Sequence, residues 1–193
     1  MTDHLRAKRA DATLNRQRIL DAARAAFAAS GAETSMAEVV RRSGLGAATL
    51  YRNFPSRQAL LEAVLFDEVD AMCATAATVE GDTPGDRFEN WLRRFFVYVT
   101  TERPVVLDLL VAEETDTTEL KVNTRERLMA AADPLLSAAR DTHEVRPELD
   151  LEQILDLVMA VAKIAGTPPY KQPIFEAALA GLRASPSGPD PVA

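Results

Sequence analysis

Apolar residues recur along the chain at the spacing of one helical face. Ile19, Ala23 and Phe27 fall four apart. Leu60, Leu61, Val64 and Leu65 repeat the pattern, as do Leu92, Phe95, Phe96 and Val99. Period-two runs of β-branched residues, the mark of half-buried strands, are missing. Breakers separate the periodic stretches: Gly31, Gly44 and Gly46, Pro55, Gly81 to Gly85, Pro104, Pro147, and Gly166 to Pro169. The pattern predicts an all-α chain of about nine helices with short connections. Alanine, the strongest helix former, supplies 33 of the 193 residues and agrees with it. No period of roughly 20–50 residues recurs, so the helices do not read as a solenoid.

Length allows one large domain or two small ones. Hydrophobic residues make up 47% and charged residues 26%, the composition of a soluble globular protein. Asp108 breaks the apolar run 105–111, and Asp156 and Lys163 break 154–165, so nothing approaches the roughly 18 apolar residues of a membrane span. Charged residues from Asp3 to Asp11 argue against a secretory signal. Cys73 is the lone cysteine, which excludes an internal disulfide and a cysteine-based zinc site. With His4 and His143 far apart, no metal or cofactor is expected. The expectation is a reduced, cytoplasmic protein with no membrane partner.

Net charge is -7, which by itself argues against nucleic acid, but the sum hides an asymmetry. Residues 1–60 hold ten Lys/Arg against five Asp/Glu, a net of +5, and the remainder carries a net of -12. A basic segment joined to an acidic one is the pattern of a chain that meets a polyanion at one end. A solvated surface with a chance imbalance gives the same sum, so charge alone does not decide. The organisation read from these shifts is a disordered basic arm at 1–13, a small domain at 14–60, a larger helical domain at 61–184 and a disordered tail at 185–193.

The stretch 31–57 carries the chemistry. Ser35 with Glu38 three residues on predicts a capping box opening a two-turn helix at Met36. Gly44 can take the left-handed conformation that ends it. A second short helix follows at about Ala47 to Phe54, closed by Pro55, with Ser56 placed to cap the next. Two short helices about a glycine turn are the helix-turn-helix layout, whose second helix can enter a major groove. Leu50 and Phe54 would pack inward. Ala47 and Ala48 are small enough for close backbone approach, and Thr49, Tyr51, Arg52 and Asn53 can donate to phosphates or base edges. Arg52 has the fork that matches guanine O6 and N7 together. Arg57, at the next helix start, can pair with a phosphate. Tyr51 also reads as a half-buried packing residue, Arg41 and Arg42 as solvated charges, and Arg6, Lys8 and Arg9 as either a minor-groove arm or a plain basic tail.

These residues together resemble the tetracycline-repressor (TetR) family of transcriptional regulators. The resemblance runs through Arg18-Ile-Leu-Asp-Ala-Ala23, Phe27, Gly31, Thr34-Ser35, Val39, Gly44-Leu-Gly46, Thr49-Leu-Tyr51, Phe54-Pro-Ser-Arg57 and Ala59-Leu-Leu61. It covers about residues 15–65. Ala47-Ala48-Thr49 departs from the glycine that often precedes the threonine, Asn53 stands where histidine is common, and Arg57 replaces a frequent lysine. The resemblance implies an all-helical homodimer on a pseudo-palindromic double-stranded DNA operator. By analogy Ser35, Gly46, Ala47, Thr49, Tyr51, Arg52, Asn53 and Arg57 would touch DNA. It also implies dimerisation through the last two long helices, about 149–165 and 174–182, and a small-molecule effector held by the preceding ones. The block Trp91-Leu-Arg-Arg-Phe-Phe, the stretch 125–139 and Arg146-Pro-Glu-Leu-Asp150 resemble one C-terminal subtype of the family.

For the effector, Phe88, Trp91, Phe95, Phe96 and Tyr98 cluster on one predicted helix, and an apolar pocket with few polar groups suits a small hydrophobic molecule. An aromatic stripe at helical spacing, however, reads first as core. Thr124 and Arg127 fall beside the apolar positions Leu120, Leu128 and Leu135, where either could face a cavity. The leading expectation is a dimeric repressor released from its operator by an effector. An activator of the same family, an α-helical enzyme and an interaction module without DNA binding are the alternatives. No nucleophile, base and orienting group appear together, which disfavours the enzyme.

Overall fold

A computed structural model describes residues 2–101 and 118–184. Among them are eight α-helices, a single 3₁₀ turn and no strand beyond an isolated bridge between Val145 and Arg183. The helices are α1 (Thr2–Ser30), α2 (Met36–Ser43), α3 (Ala47–Asn53), α4 (Arg57–Thr78), α5 (Pro84–Thr101), α6 (Thr118–Asp141), α7 (Leu151–Ala162) and α8 (Pro168–Ala180). The all-helical reading holds. Pro104, the run 105–111 with Asp108, and the tail 185–193 lie outside the described residues. No described helix is long and apolar enough to cross a membrane.

The described residues fall into two compact units, divided inside α4 between Glu68 and Val69. The first holds 2–68 with 118–121. Its α1 packs against α2, and α2 against α3. The periodic apolar positions of the sequence form its core: Ile19, Ala23 and Phe27 of α1, Val39 of α2, Leu50 of α3, and Leu60, Leu61, Val64 and Leu65 of α4 are all buried. Arg24 braces α1 to α4, lying 2.5 Å from Asp67 and 3.7 Å from Glu68. Residues 2–13, expected as a disordered arm, continue α1. No proline or glycine interrupts the chain from Thr2 to Ser30, and its alanines favour helix propagation.

The second unit holds Val69–Thr101 and 122–184, with α5 packed on α7 and α7 on α8. A full capping box starts α7: Asp150 accepts from the Gln153 amide at 2.8 Å, and the Gln153 side chain returns to the Asp150 amide at 2.9 Å. Proline at the first position starts α8 at Pro168, six residues earlier than the last helix placed by the resemblance.

Candidate nucleic-acid interface

The geometry begins at the entry to α2. Ser35 is extended, and its hydroxyl accepts from the Glu38 amide at 3.2 Å. The expected return bond from the Glu38 side chain is replaced. Its carboxylate instead accepts from Arg41 at 2.6 and 2.8 Å and from Arg42 at 2.6 Å. Charge-assisted bonds one turn along the helix outcompete the neutral serine amide. Hydrogen bonds from Arg41 and then Arg42 hold the Glu38 carboxyl at about 2, against an ordinary 4.5. Both arginines are thereby tied to their own helix.

Gly44 closes α2 with φ of 65°, a backbone that L side chains rarely adopt. Arg18, from α1, donates to the Ser43 carbonyl at 3.0 Å. This places a cation on the unpaired carbonyls and negative dipole end of α2. The Ser43 hydroxyl spans the turn, donating to the Val40 carbonyl at 3.0 Å and accepting from the Leu45 amide at 3.3 Å. Thr34 is buried and donates to the Ala26 carbonyl at 2.9 Å, fixing where α2 leaves α1.

The Gly46 carbonyl accepts from Thr49 and Leu50, opening α3. Leu50 and Phe54 are buried and anchor that helix. The opposite face is open: Ala47, Ala48, Tyr51 and Arg52 are exposed, Tyr51 at 51%. Thr49 is half-buried. Asn53 turns back on its own helix, its amide donating to the Thr49 carbonyl at 2.8 Å. Arg57 also points inward, its guanidinium over the Phe27 ring at 5.1 Å and bonded to the Thr34 carbonyl. Of the eight expected DNA residues, Gly46, Ala47, Tyr51 and Arg52 form one exposed group. Ser35 is exposed but its hydroxyl serves the cap, and Asn53 and Arg57 have protein partners. Two further cations of α1 meet the motif and were not among the eight: Arg16 lies over the Phe54 ring at 4.6 Å, and Arg18 bonds the Ser43 carbonyl. Their signal is register, since they lie within one turn before the buried pair Ile19 and Leu20.

In the second unit, Trp91 stacks on Phe95 at 5.6 Å and Phe96 stacks on Phe175 of α8 at 4.1 Å, all buried. These rings are packed core, and Thr124 is buried with them. Arg127 lies at the surface, 2.7 Å from Asp70. A cavity of about 360 Å³ opens elsewhere in this unit, between Thr83, Asp86, Glu89, His143, Glu144 and Arg183, and none of the five expected effector residues lines it. Burial, with Asp70 adding to it, raises the Cys73 thiol above its ordinary range.

Two short helices about a left-handed glycine, with the outer face of the second exposed and its inner face anchored, define a helix-turn-helix nucleic-acid-binding domain. Residues 19–64 match the family described as bacterial regulatory proteins, tetR family. Residues 83–184 match the one described as transcriptional regulator SbtR-like, C-terminal domain. A TetR transcription regulatory protein from Mycobacterium vanbaalenii is similar at 31% identity, over 91% of this chain and 99% of that one, with a TM-score of 0.74. The TetR regulator SCO0520 from Streptomyces coelicolor is similar at 28% identity, over 89% and 99%, with a TM-score of 0.71. Salmonella enterica GusR follows at 25%, over 87% and 94%, with 0.63. No curated protein sequence matches the chain. The chain belongs to the TetR family and is a DNA-binding transcriptional regulator.

Proposed function

We propose that this protein is a homodimeric repressor that holds a pseudo-palindromic operator through α3 and leaves it when a small molecule binds the second unit. The observation that carries the reading is the exposed face of α3. Tyr51 and Arg52 stand on a helix anchored by Leu50 and Phe54, and the small Ala47 and Ala48 leave room for a phosphate backbone beside them. Gly46 and Thr49 complete that surface. Ser35 and Asn53 join it once their hydrogen bonds with the Glu38 amide and the Thr49 carbonyl are exchanged for phosphate. Two copies of α3 on a dimer reach successive major grooves roughly 34–36 Å apart. Dimerisation through α7 and α8 is supported by half-buried Leu157, Ile164 and Ile174 and by Tyr170, which is 59% exposed.

The effector is a small apolar molecule with a hydrogen-bond acceptor. Support comes from the Trp91 indole N–H, which is fully buried beside Phe95 with no hydrogen-bond partner among the described residues. A buried donor left unmade costs about 1–3 kcal/mol, which an acceptor would recover. Release follows from population shift: a ligand that prefers one separation of the recognition helices lowers DNA affinity by its differential affinity for the two states. Helix α4 begins in the first unit and ends in the second, which makes it the lever.

Selection of bound duplexes from a random pool, followed by footprinting on DNA flanking the gene, tests the operator. Two protected half-sites one helical turn apart are expected. Protection of a single half-site by a monomer, or no selected sequence at all, removes the reading. Spin-label distances between the two copies of α3 test the lever, and an unchanged distance on adding a DNA-releasing ligand excludes it.

A further inference from the structure

We propose that Arg16 of α1 is a phosphate contact of this interface, held ready by Phe54. The inference rests on the DNA-binding role of the first unit and adds to it a residue outside the two helices of the motif.

The cations around the motif are mostly committed. Arg41 and Arg42 are bonded to Glu38, and Arg57 to the Thr34 carbonyl. Arg16 is different. Its guanidinium carbon lies 4.6 Å from the centroid of the Phe54 ring, the residue is exposed, and its N–H donors meet no carboxylate or carbonyl among the described residues. Phe54 is the residue that caps the C-terminal end of α3, directly after Arg52 and Asn53. Arg16 therefore stands at the end of the recognition helix while belonging to a separate element.

The chemistry favours phosphate over any other partner. A guanidinium resting on an aromatic ring is restricted in its rotamers, so less freedom is lost when it binds. It is weakly hydrated and offers paired donors that match two phosphate oxygens. Phosphate contacts made from an element beside the recognition helix fix that helix in its groove without reading sequence. Arg16 sets register, and Arg52 on the exposed face reads bases.

The test compares the wild-type chain with Arg16→Gln and Arg16→Lys. Binding is measured by fluorescence anisotropy on the duplex that the wild-type chain selects from a random pool and on an unrelated duplex, across KCl concentrations. Arg16→Gln is expected to weaken both duplexes by a similar factor and to flatten log K against log [KCl] by about 0.9 per protomer. For each protomer, the wild-type advantage then shrinks about 3.5-fold between roughly 50 and 200 mM salt. Arg16→Lys keeps the charge and is expected to restore the slope. If Arg16→Gln leaves the slope unchanged, with or without a loss of affinity, the arginine only covers Phe54 and the inference is overturned. If the wild-type chain selects no duplex, the DNA-binding reading itself has failed, which is a separate result.

Discussion

The Arg57 guanidinium rests over the Phe27 ring at 5.1 Å and bonds the Thr34 carbonyl, joining the start of α4 to the end of α1 and the entry to α2. The residue that sequence alone assigns to a phosphate thus has partners within the first unit. Replacing Arg57 with alanine removes a charged hydrogen bond and a cation–π contact. The expected cost is on the order of 1–3 kcal/mol in urea unfolding. The salt dependence of DNA binding should change less than it does for Arg16→Gln. An unaltered unfolding midpoint together with a flattened salt slope would return Arg57 to the phosphate backbone.

Tyr51 and Arg52 share the open face of α3 but are expected to act differently. Arg52→Ala should relax preference at particular operator positions, each base contact being worth about 1–3 kcal/mol. Tyr51→Phe keeps the ring and removes one hydroxyl donor, so it should weaken all sequences alike. Competition binding against a panel of single-base operator variants separates the two. A uniform loss from Arg52→Ala would mean that it touches only phosphates.

The helix-turn-helix was legible nearly to the residue because its punctuation is local. Ser35, Gly44, Gly46 and Pro55 each act through backbone geometry within three or four positions, and α3 at Ala47–Asn53 follows from them. The start of α8 was not, because Thr167-Pro168-Pro169 serves equally as a breaker and as a proline-led helix start, and only packing of Phe175 and Leu179 decides. The Asp150–Gln153 box was visible in spacing but fell inside a pattern read as already helical, which set the start of α7 two residues early. Side-chain destinations were the least legible part. Arg57 meets Thr34 across 23 residues, and the Glu38 carboxylate chose between two local partners whose competition spacing does not resolve. The aromatic stripe from Phe88 to Tyr98 was predictable as a buried face. The Trp91–Phe95 stack lies within α5, four residues apart, but that Phe96 turns to Phe175 depends on a helix far away in sequence.

Ser35 has two roles that one substitution can separate. As an N-cap it is worth about 1 kcal/mol, so Ser35→Ala should lower stability by roughly that amount. Aspartate caps as well as serine and suits the positive end of the helix dipole. Ser35→Asp is therefore expected to preserve the thermal midpoint while strongly weakening duplex binding, because a carboxylate would face the phosphates. Retained binding by the aspartate variant would confine Ser35 to capping.

Glu38 carries the clearest dependence on pH. Its carboxyl titrates at about 2 in the folded chain against an ordinary 4.5, because Arg41 and Arg42 bond the charged form. A depressed carboxyl stabilises the fold fully above about 4.5 and loses that contribution as pH falls toward 2. Glu38→Gln should accordingly be less stable than wild type at neutral pH, with the gap narrowing as pH drops through that window. Urea midpoints for both chains at several pH values measure it, and a gap that stays constant would assign the effect to something other than this carboxylate. The same variant releases Arg41 and Arg42 beside the recognition surface. Unrelated duplexes should then bind more tightly and with a steeper salt dependence, so discrimination falls even though no base contact has been altered. That outcome would show that Glu38 acts on specificity by withholding two charges from DNA of any sequence, and unchanged discrimination would confine it to the stability of α2.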